Sequence, residues 1–456
     1  MNLFLQSDSG PIHFVGIGGA GMSALALVAL RRGIAVTGSD ADTSGVAELE
    51  AAGARIEWGS APAAAGKARA VIASAAIPTD HPDLARAREL GIPIVPRKEA
   101  LAGLIGTARS VAIAGTHGKT TTTVMTTEAL VGAGFDPTGL AGGRVSLWGG
   151  NARLGGTDLF VVEADEYDKA FLSLRPTVAV INNVEPDHLE CYGSVEAMEA
   201  AYVTFAAPAE WILIGTDGPG AERVAAAISH PDRLWRFGTG GADVVLDEVQ
   251  LATDGSRALV RFPDGQAVQL ELAVPGMHNL RNATAALAVT QALGGQATAA
   301  AAALAKFRGV GRRFERVGEA GGVIVIDDYA HHPTELRATL AAARQAFPSR
   351  RLVAVFQPHL YSRTALHHDA MGQALAAADL VIVADVYGAR EAPVPGVTGQ
   401  LVAEAARARR AQVIYQPSRD ELGRTVARAV ERGDVVLTLG AGDVTRVGPE
   451  LLRTLG

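Results

Sequence analysis

The sequence VAIAGTHGKTT, residues 111–121, joins a short apolar strand to a helical segment through a glycine-rich turn. In a turn of this kind, backbone N–H groups and the helix N-terminus face one point and attract phosphate oxygens there. Lys119 would reach the outer phosphates of a nucleotide, and the Thr120 hydroxyl would bind magnesium. The spacing is two residues shorter than the usual GxxxxGK[ST] pattern. This stretch predicts an α/β domain that binds ATP.

Short β-branched strands alternate with helical stretches on both sides of this turn, which predicts parallel sheets with crossover helices. The candidate strands are residues 12–17, 34–38, 70–74, 92–95, 111–114, 159–163, 178–182, 211–214, 323–327, 352–356, 380–384, 413–415 and 435–439. Between about Leu234 and Val274, short alternating runs surround an Asp264-Gly265 turn and predict an added set of antiparallel hairpins. Breaks near 103–107 and 307–312 divide the chain into three predicted α/β domains, residues 1–106, 107–311 and 312–456.

Composition excludes several classes of protein. Hydrophobic residues make up 48% of the 456 residues and charged residues 20%, as in ordinary globular proteins. The net charge of -7 argues against a nucleic-acid binder, which needs a basic surface. Cys191 is the only cysteine, so no intramolecular disulfide can form. The N-terminus lacks the pattern of a signal peptide, and no run of about 20 apolar residues predicts a membrane span. We therefore expect a cytoplasmic protein without membrane insertion.

Two acidic clusters follow the glycine-rich turn. Glu163 ends the apolar run LFVVE, and an acid at the carboxyl end of a strand beside a phosphate loop is placed to bind magnesium. After the next predicted strand, His188 could bind a second cation, with Asp187 orienting it.

A second glycine-rich turn lies near the N-terminus. The sequence GIGGAG, residues 16–21, follows a predicted strand, and Asp40 ends the next strand at the spacing of a ribose-binding acid. The pattern predicts a nucleotide diphosphate at a helix N-terminus. NAD and a UDP-sugar present the same pyrophosphate, so the motif alone does not choose between them.

Three further segments contain polar residues in unusual arrangements. Asn279 and Asn282 lie three residues apart at a predicted helix start, where Asn279 could also serve as a cap. The segment GRRFE, residues 311–315, could place an arginine on phosphate at the second predicted linker. The segment DDYAHHP, residues 327–333, ends an apolar strand with two acids and two histidines.

Together these motifs resemble the Mur ligase family over essentially the whole chain, from His13 to about Leu452. The resemblance implies a Rossmann-like UDP-binding domain, a central P-loop ATPase-like domain with a small antiparallel sheet, and a C-terminal Rossmann-like domain. It implies a catalytic set of Lys119, Glu163, His188, Arg313 and Asp328, with magnesium held by Thr120, Glu163 and His188. The implied ATP-binding residues are Gly115, Thr116, His117, Gly118, Lys119, Thr120, Thr121, Asn279, Asn282, Arg313 and Asp328.

Other stretches resemble the alanine-adding branch of this family. The implied UDP-sugar-binding residues are Gly16, Gly18, Gly19, Ala20, Gly21, Met22, Ser39, Asp40 and Ser74. The segment QPHLYSRT, residues 357–364, is similar to the amino-acid-binding segment of the branch. The implied amino-acid-binding residues are Tyr329, His331, His359 and Arg363. Leu360 stands where an arginine is common in the branch, which shifts recognition of the alanine carboxylate toward Arg363 and His359.

The resemblance implies ATP-dependent ligation of L-alanine to UDP-N-acetylmuramate through an acyl phosphate, with ATP and two magnesium ions. The implied partners are small molecules, and we expect a monomer or a weak homodimer. Three alternatives stay open. The sequence EADEYD, residues 163–168, also resembles the ligase that reattaches a recycled tripeptide to UDP-N-acetylmuramate. A nicotinamide-dependent oxidoreductase would explain only the first glycine-rich turn and Asp40. A non-catalytic nucleotide-binding regulator would not explain why the four residues Lys119, Glu163, His188 and Arg313 are all present.

Overall fold

The computed structural model describes residues 3–4, 10–42, 46–216, 218–389 and 391–456. Most of residues 1–11, to which the signal-peptide prediction applies, lies outside these residues. The chain forms two compact units. The first unit comprises Met1–Asp247, Val260–Gln269 and Arg281–Leu304, and the second comprises Glu248–Leu259, Leu270–Leu280 and Ala305–Gly456.

The first sheet is entirely parallel, in the order β3-β2-β1-β4-β5. Its strands are β1 (Ile12–Val15), β2 (Val36–Asp40), β3 (Arg55–Trp58), β4 (Ala70–Ala73) and β5 (Ile94–Pro96), and its helices are α1 (Ala20–Arg31), α2 (Ala47–Ala51), α3 (Pro62–Ala65), α4 (Pro82–Glu89) and α5 (Arg97–Ile105). Four of these strands were predicted to within two residues at each end. The sequence missed β3, because this edge strand is largely exposed and has no apolar run.

The second sheet has ten strands, in the order β15-β14-β13-β12-β11-β10-β6-β9-β7-β8. They are β6 (Arg109–Ala114), β7 (Thr138–Val145), β8 (Gly150–Arg153), β9 (Leu159–Glu163), β10 (Val178–Ile181), β11 (Trp211–Gly215), β12 (Leu234–Gly238), β13 (Val244–Ala252), β14 (Gly255–Arg261) and β15 (Ala267–Leu272). The helices of this region are α6 (Lys119–Gly132), α7 (Leu189–Tyr192), α8 (Val195–Ala206), α9 (Pro219–Ala227), α10 (Met277–Ala292) and α11 (Ala297–Leu304).

The strand order of the second sheet creates a crevice beside β6. The chain continues from β6 toward β7 on one side and from β10 toward β11 on the other, although β6 and β10 are parallel neighbours. The loops at their carboxyl ends therefore diverge, which is where open α/β sheets bind ligands. The stretch at residues 111–121 is thus a strand, turn and helix at a switch point.

The predicted hairpin region needs one correction. β12 pairs in parallel with both β11 and β13, so the strand that begins at Leu234 extends the parallel sheet instead of opening a hairpin set. The Asp264-Gly265 turn does connect neighbouring strands β14 and β15, with the Phe262 N–H donating to the Gln266 carbonyl at 2.9 Å.

The third sheet lies in the second unit, in the order β16-β17-β21-β18-β19-β20, with only β16 antiparallel to its neighbour. Its strands are β16 (Glu315–Ala320), β17 (Val323–Asp328), β18 (Leu352–Phe356), β19 (Leu380–Val383), β20 (Val413–Tyr415) and β21 (Val435–Leu439). Its helices are α12 (Pro333–Ala346), α13 (Tyr361–Leu375), α14 (Gly399–Ala408), α15 (Arg419–Ala429) and α16 (Val447–Leu455). Successive residues of β17 point into separate cores, one under α12, α13 and α14 and the other under α15 and α16.

The three sheets and their helices confirm the predicted α/β fold class. The domain boundaries after residues 106 and 311 stay predictions. Within the described ranges, no helix is both long enough and apolar enough to cross a membrane.

Candidate active site

The glycine-rich turn after β6 depends on two glycines with positive φ. Gly115 has φ 130° and Gly118 has φ 78°, which L side chains rarely adopt. A Cβ atom on Gly118 would also lie 2.8 Å from Oδ1 of Asn282, at the start of α10. The turn therefore approaches its neighbours too closely for any side chain at this position.

The loop after β10 holds the glycine-rich turn from the other side of the crevice. Asn183 Oδ1 accepts from the His117 N–H at 2.8 Å, and Asn182 Nδ2 donates to the His117 carbonyl at 3.2 Å. The Thr116 hydroxyl accepts from the Glu185 N–H at 2.9 Å and donates to the Glu185 carbonyl at 3.1 Å. Sequence reasoning assigned no role to Asn182 or Asn183, because only the parallel pairing of β6 with β10 brings the two loops together.

Lys119 lies folded over the turn. Its Nζ donates to the Gly115 carbonyl at 2.6 Å and forms an ion pair with Glu166 Oε1 at 2.7 Å. Burial alone would lower the pKa of Lys119, but the charges of Glu166 and Asp165 outweigh burial and raise the pKa, so the ammonium stays charged. Burial raises the pKa of Glu166, and the charge of Lys119 opposes that rise only in part.

The predicted metal ligands lie at the ends of neighbouring elements. Thr120 is buried in the first turn of α6. Glu163 ends β9 and accepts a hydrogen bond from the Gly142 N–H of β7. His188 is the N-cap of α7 and has φ 51°, and its ring packs edge-on against Tyr167 at a centroid distance of 5.1 Å.

Asp187 does not orient the His188 ring as predicted. Its Oδ1 accepts from the backbone N–H of His188 at 3.0 Å, whereas its Oδ2 lies 3.8 Å from His188 Nε2, beyond hydrogen-bond range. Glu190 comes closer to the ring, at 3.4 Å from Nδ1. The carboxylate of Asp187 thus holds the backbone of His188, the residue with positive φ.

The chemistry of these side chains fits magnesium. Glu166 Oε2 and Asn182 Oδ1 are buried oxygens without a hydrogen-bond partner among the described residues. Magnesium prefers oxygen ligands and keeps several of its waters. Carboxylate, amide and hydroxyl oxygens therefore suit this ion better than the imidazole nitrogen of His188.

The N-terminal glycine-rich turn is held by the last two residues of β2. The Ser39 carbonyl accepts from the N–H groups of Gly16 and Ile17 at 2.8 and 3.2 Å. Asp40 Oδ2 accepts from the Gly18 N–H at 2.8 Å, so this acid supports the turn itself. Gly19 begins α1 without a side-chain cap, which leaves the N-terminus of that helix suited to an anion.

Not every predicted UDP-sugar residue offers its side chain. Met22 and Ser39 are buried, and the Ser39 hydroxyl donates to Asp83 at 2.6 Å. Any ligand contact at these two residues would go through the backbone. The carbonyl of Ser74 accepts from the Ile77 N–H at 3.2 Å. Ala20 and Gly21 lie in the first turn of α1.

In the second unit, Asp328 ends β17 and binds the backbone just before β16 and just after β17. Its two carboxylate oxygens accept from the N–H groups of Phe314 and Ala330, each at 2.8 Å. Burial raises the pKa of Asp328 to about 6, and the charge of Arg313 opposes this only in part. Arg312 and Phe314, which flank Arg313, have φ of 58° and 52°, so the backbone on both sides of Arg313 has a conformation that its surroundings impose.

The two adjacent arginines share one contact, and Arg312 makes further ones. Arg312 Nε lies 3.0 Å from Asp327 Oδ2, and the same guanidinium donates to the Gly440 carbonyl at 2.7 Å. Arg312 and Arg313 both stand over the Tyr329 ring, each 4.9 Å from its centroid.

The four predicted amino-acid-binding residues come together at the carboxyl edge of the third sheet. His331 packs against Tyr329, with ring centroids 5.3 Å apart, and lies 6.0 Å from the His359 ring. Arg363 is 6% exposed, and its guanidinium lies 3.2 Å from His359 Nδ1. The sequence missed Tyr387, whose ring stacks on His359 at 5.9 Å, because nothing local marks a loop tyrosine as a neighbour of a distant histidine.

The predicted asparagine pair is divided between the two units. Asn282 belongs to the first unit and contacts the glycine-rich turn as described above. Asn279 belongs to the second unit, and its amide donates to the Pro275 carbonyl at 2.7 Å. Its role in binding ATP stays a prediction, as do the roles of the other site residues.

Comparison with known proteins identifies the family. Residues 11–109 match the model of the Mur ligase family catalytic domain, residues 113–290 the Mur ligase middle domain, and residues 312–442 the Mur ligase glutamate ligase domain. The UDP-N-acetylmuramate–L-alanine ligase of Renibacterium salmoninarum is 45% identical over 98% of this chain and 97% of its own length.

Solved structures agree with this result. The UDP-N-acetylmuramate–alanine ligase of Thermotoga maritima superposes with a TM-score of 0.82 at 29% identity, over 97% of this chain and 98% of that one. A murein peptide ligase from Psychrobacter arcticus superposes with a TM-score of 0.73 at 27% identity, over 98% of this chain and 99% of that one. This chain belongs to the Mur ligase family.

Proposed function

We propose that this chain joins L-alanine to the lactyl carboxylate of UDP-N-acetylmuramate, with ATP converted to ADP and phosphate. The observation that carries the proposal is the turn at residues 115–118, which is held between Asn182, Asn183 and Asn282 with Lys119 charged above it. The near full-length similarity to ligases with this printed activity supports the choice of substrates.

The proposed chemistry has two steps. The carboxylate attacks the γ-phosphorus of ATP, the bond to the β,γ-bridging oxygen breaks, and an acyl phosphate and ADP result. The neutral amine of L-alanine then attacks the acyl carbon and gives up a proton. The carbon–oxygen bond to phosphate breaks, and the amide and inorganic phosphate remain.

Residues of the first unit serve the phosphoryl transfer. Both reactants are anionic, so the ammonium of Lys119 screens their repulsion and stabilises charge on the transferring group. Thr120, Glu163 and Glu166 would hold magnesium, which neutralises phosphate charge when bound. We keep His188, at the amino-terminal end of α7, among the proposed magnesium ligands. The number of magnesium ions, predicted as two, stays a prediction.

Residues of the second unit serve the amino acid. Arg363 and His359 are assigned to the alanine carboxylate, and the buried position of the guanidinium makes its attraction for a carboxylate stronger than in water. The His331 ring is the group we assign to the amine proton, because imidazole accepts a proton near neutral pH and the contact of Nδ1 with the Tyr329 carbonyl, at 2.9 Å, orients the ring. Arg313 and Asp328 are assigned to the nucleotide.

The second candidate function is reattachment of a recycled tripeptide. The Psychrobacter arcticus murein peptide ligase superposes over almost the whole chain, which is the observation in its favour. The higher TM-score of the alanine ligase supports L-alanine as the amino donor.

The deciding experiment measures phosphate release from ATP and magnesium with UDP-N-acetylmuramate and either L-alanine or the tripeptide. We expect release that requires both the UDP-sugar and L-alanine. Release with the tripeptide alone would transfer the assignment to the recycling reaction, and release with neither donor would refute a ligase. Because ATP and UDP-sugars are cytoplasmic compounds, we also propose that the enzyme acts there, as a monomer or a weak homodimer.

A further inference from the structure

The acidic segment, residues 163–168, is bound by cations from two different parts of the first unit. Glu166 pairs with Lys119 of the phosphate-binding turn at 2.7 Å. Asp165 pairs with Arg97 at 3.2 Å, and Asp168 pairs with Lys98 at 2.9 Å. Arg97 and Lys98 are the first two residues of α5, which packs against the first sheet. The segment thus connects the ATP turn with the domain that carries the other glycine-rich turn.

The end of this segment has a strained backbone. Asp168 and Lys169 are consecutive non-glycine residues with φ of 52° and 53°. Such a conformation is unfavourable for L side chains and persists only where its surroundings impose it. Lys98 supplies contacts that impose it, because its Nζ binds both the carboxylate and the carbonyl of Asp168, at 2.9 and 3.3 Å. The position of the acidic segment therefore depends on α5.

Arg97 also lies directly on the N-terminal glycine-rich turn. A Cβ atom on Gly21 would be 2.6 Å from Nη1 of Arg97. Gly21 is in the first turn of α1, which has no acidic residue and no side-chain cap. A cation beside a helix N-terminus is unfavourable because the helix dipole places partial positive charge there. The charge of Asp165 compensates part of this unfavourable interaction. An anion bound on the turn would compensate the rest.

We propose that Arg97 and Asp165 couple the UDP-sugar turn to the ATP turn, so that each substrate raises the affinity for the other. The inference rests on the proposed function. A pyrophosphate on the N-terminal turn attracts the Arg97 guanidinium and shares it with Asp165. The charge of Asp165, now neutralised less by Arg97, then acts more strongly on a magnesium ion at the neighbouring acidic residues, which favours nucleotide bound with magnesium. Binding free energies are reciprocal, so the nucleotide must strengthen UDP-sugar binding by the same factor.

The test is calorimetric titration of the full chain with UDP-N-acetylmuramate, with and without magnesium and a non-hydrolysable ATP analogue. L-Alanine is left out, so that no turnover occurs. We expect the nucleotide to tighten UDP-sugar binding about 5-fold or more, the lower end of ordinary allosteric coupling. Asp165→Asn keeps the size of the side chain and removes its charge. This variant should lose the coupling while its UDP-sugar affinity without nucleotide is unchanged or tighter, since Arg97 is no longer shared.

Two further variants separate coupling from folding. Arg97→Gln should lose the coupling and also bind the UDP-sugar more weakly, whereas a purely structural role would give lower stability with the coupling intact. Asp136→Asn breaks a similar, partly exposed pair, with Arg153 at 2.8 Å, and should leave the coupling unchanged. If Asp165→Asn does not fold, Lys98→Met, which releases Asp168, should reduce the coupling in its place.

The outcomes distinguish the two proposals. UDP-sugar binding whose dependence on nucleotide is the same in the unaltered chain and in Asp165→Asn overturns the coupling alone. Equal affinity with and without nucleotide in the unaltered chain also overturns it. A complete absence of UDP-sugar binding in the unaltered chain contradicts the proposed function, and the coupling with it.

Discussion

At the residue scale, the site depends on charges that are buried beside one another. Lys119 keeps 17% of its side-chain surface exposed and Glu166 keeps 4%. Removing one partner of such a pair leaves the other as an uncompensated charge in a poorly solvated place, which costs more than the pair contributes. Substituting one partner of the pair therefore has two effects, a loss of stability and a loss of catalysis, which can be measured separately.

Lys119→Met should abolish phosphate release and lower the free energy of unfolding by on the order of 3 kcal/mol, the lower end for a buried pair, because Glu166 is left unpaired while Lys119 is partly exposed. Adding Glu166→Gln to this variant should recover much of the stability and none of the activity. Urea denaturation and phosphate release measure the two effects. Recovery of activity in the double variant would show that Lys119 acts only through the ion pair.

The carboxyl group of Asp328 makes stability depend on pH. Its pKa is raised by burial to about 6, so the folded state binds its proton more tightly than the unfolded state does. This stabilisation is complete below the ordinary pKa of an aspartate, about 4, and is lost as the pH rises through 6. The free energy of unfolding of Asp328→Asn, relative to that of the unaltered chain, should therefore increase by on the order of 3 kcal/mol as the pH rises from about 4 to about 7.

Urea denaturation of both proteins across this pH range measures that difference. The asparagine amide faces one of the two N–H donors that bind Asp328, which adds a penalty that does not change with pH. A difference in the free energy of unfolding between the two proteins that stays constant with pH would contradict the raised pKa of Asp328.

At the scale of elements, the ends of α6 show how the site constrains a turn. Gly118 and Gly134 both have positive φ, 78° and 90°, at opposite ends of this helix. A Cβ atom would meet nothing within 4 Å at Gly134 but would lie 2.8 Å from Asn282 Oδ1 at Gly118. Backbone strain is thus common to both positions, whereas only Gly118, in the site, approaches a neighbouring side chain closely.

Alanine at either glycine should lower the free energy of unfolding by about 1 kcal/mol, the cost of a left-handed non-glycine residue. Gly118→Ala should in addition weaken ATP binding by about 10-fold or more, because the phosphate-binding turn must shift away from Asn282. Titration with a fluorescent ATP analogue and urea denaturation separate the two effects. Equal ATP affinity in the two variants would count against Asn282 as a support of this turn.

At the scale of the whole molecule, the proposal assigns different ligands to the two units. ATP belongs to the switch point of the second sheet and L-alanine to the carboxyl edge of the third. A bound ligand suppresses the local opening that lets backbone amides exchange with solvent. Hydrogen exchange therefore reports directly on which unit holds which ligand.

ATP with magnesium should slow amide exchange in residues 115–122 and 182–188, while L-alanine alone should leave these residues unchanged. L-Alanine at high concentration should slow exchange in the loop that contains His359 and in the first turn of α13. Mass-spectrometric hydrogen exchange with each ligand separately provides the measurement. Protection of the first unit by L-alanine alone would contradict the assignment.

The sequence by itself determined the fold class, most strands and the two glycine-rich turns. These features are encoded locally, because apolar strands, helical periodicity and glycines at fixed spacing follow from backbone sterics and from burial of one continuous run. Two of the strands it missed, β3 and β16, lie at sheet edges and carry mostly exposed side chains. It also missed β7, which lies inside the second sheet and contains three glycines. Leu234–Gly238 was placed in a hairpin set because strand direction is not a local property.

Only the tertiary structure decided which distant residues meet. The partners of Lys119, the clamp of Asn182 and Asn183 on His117, and the position of Arg97 on Gly21 all join residues that are far apart in the chain. Asp187 likewise proved to hold a backbone N–H instead of an imidazole ring. Sheet order and strand direction bring such loops to one edge, and a sequence pattern with a period of a few residues carries no information about that order.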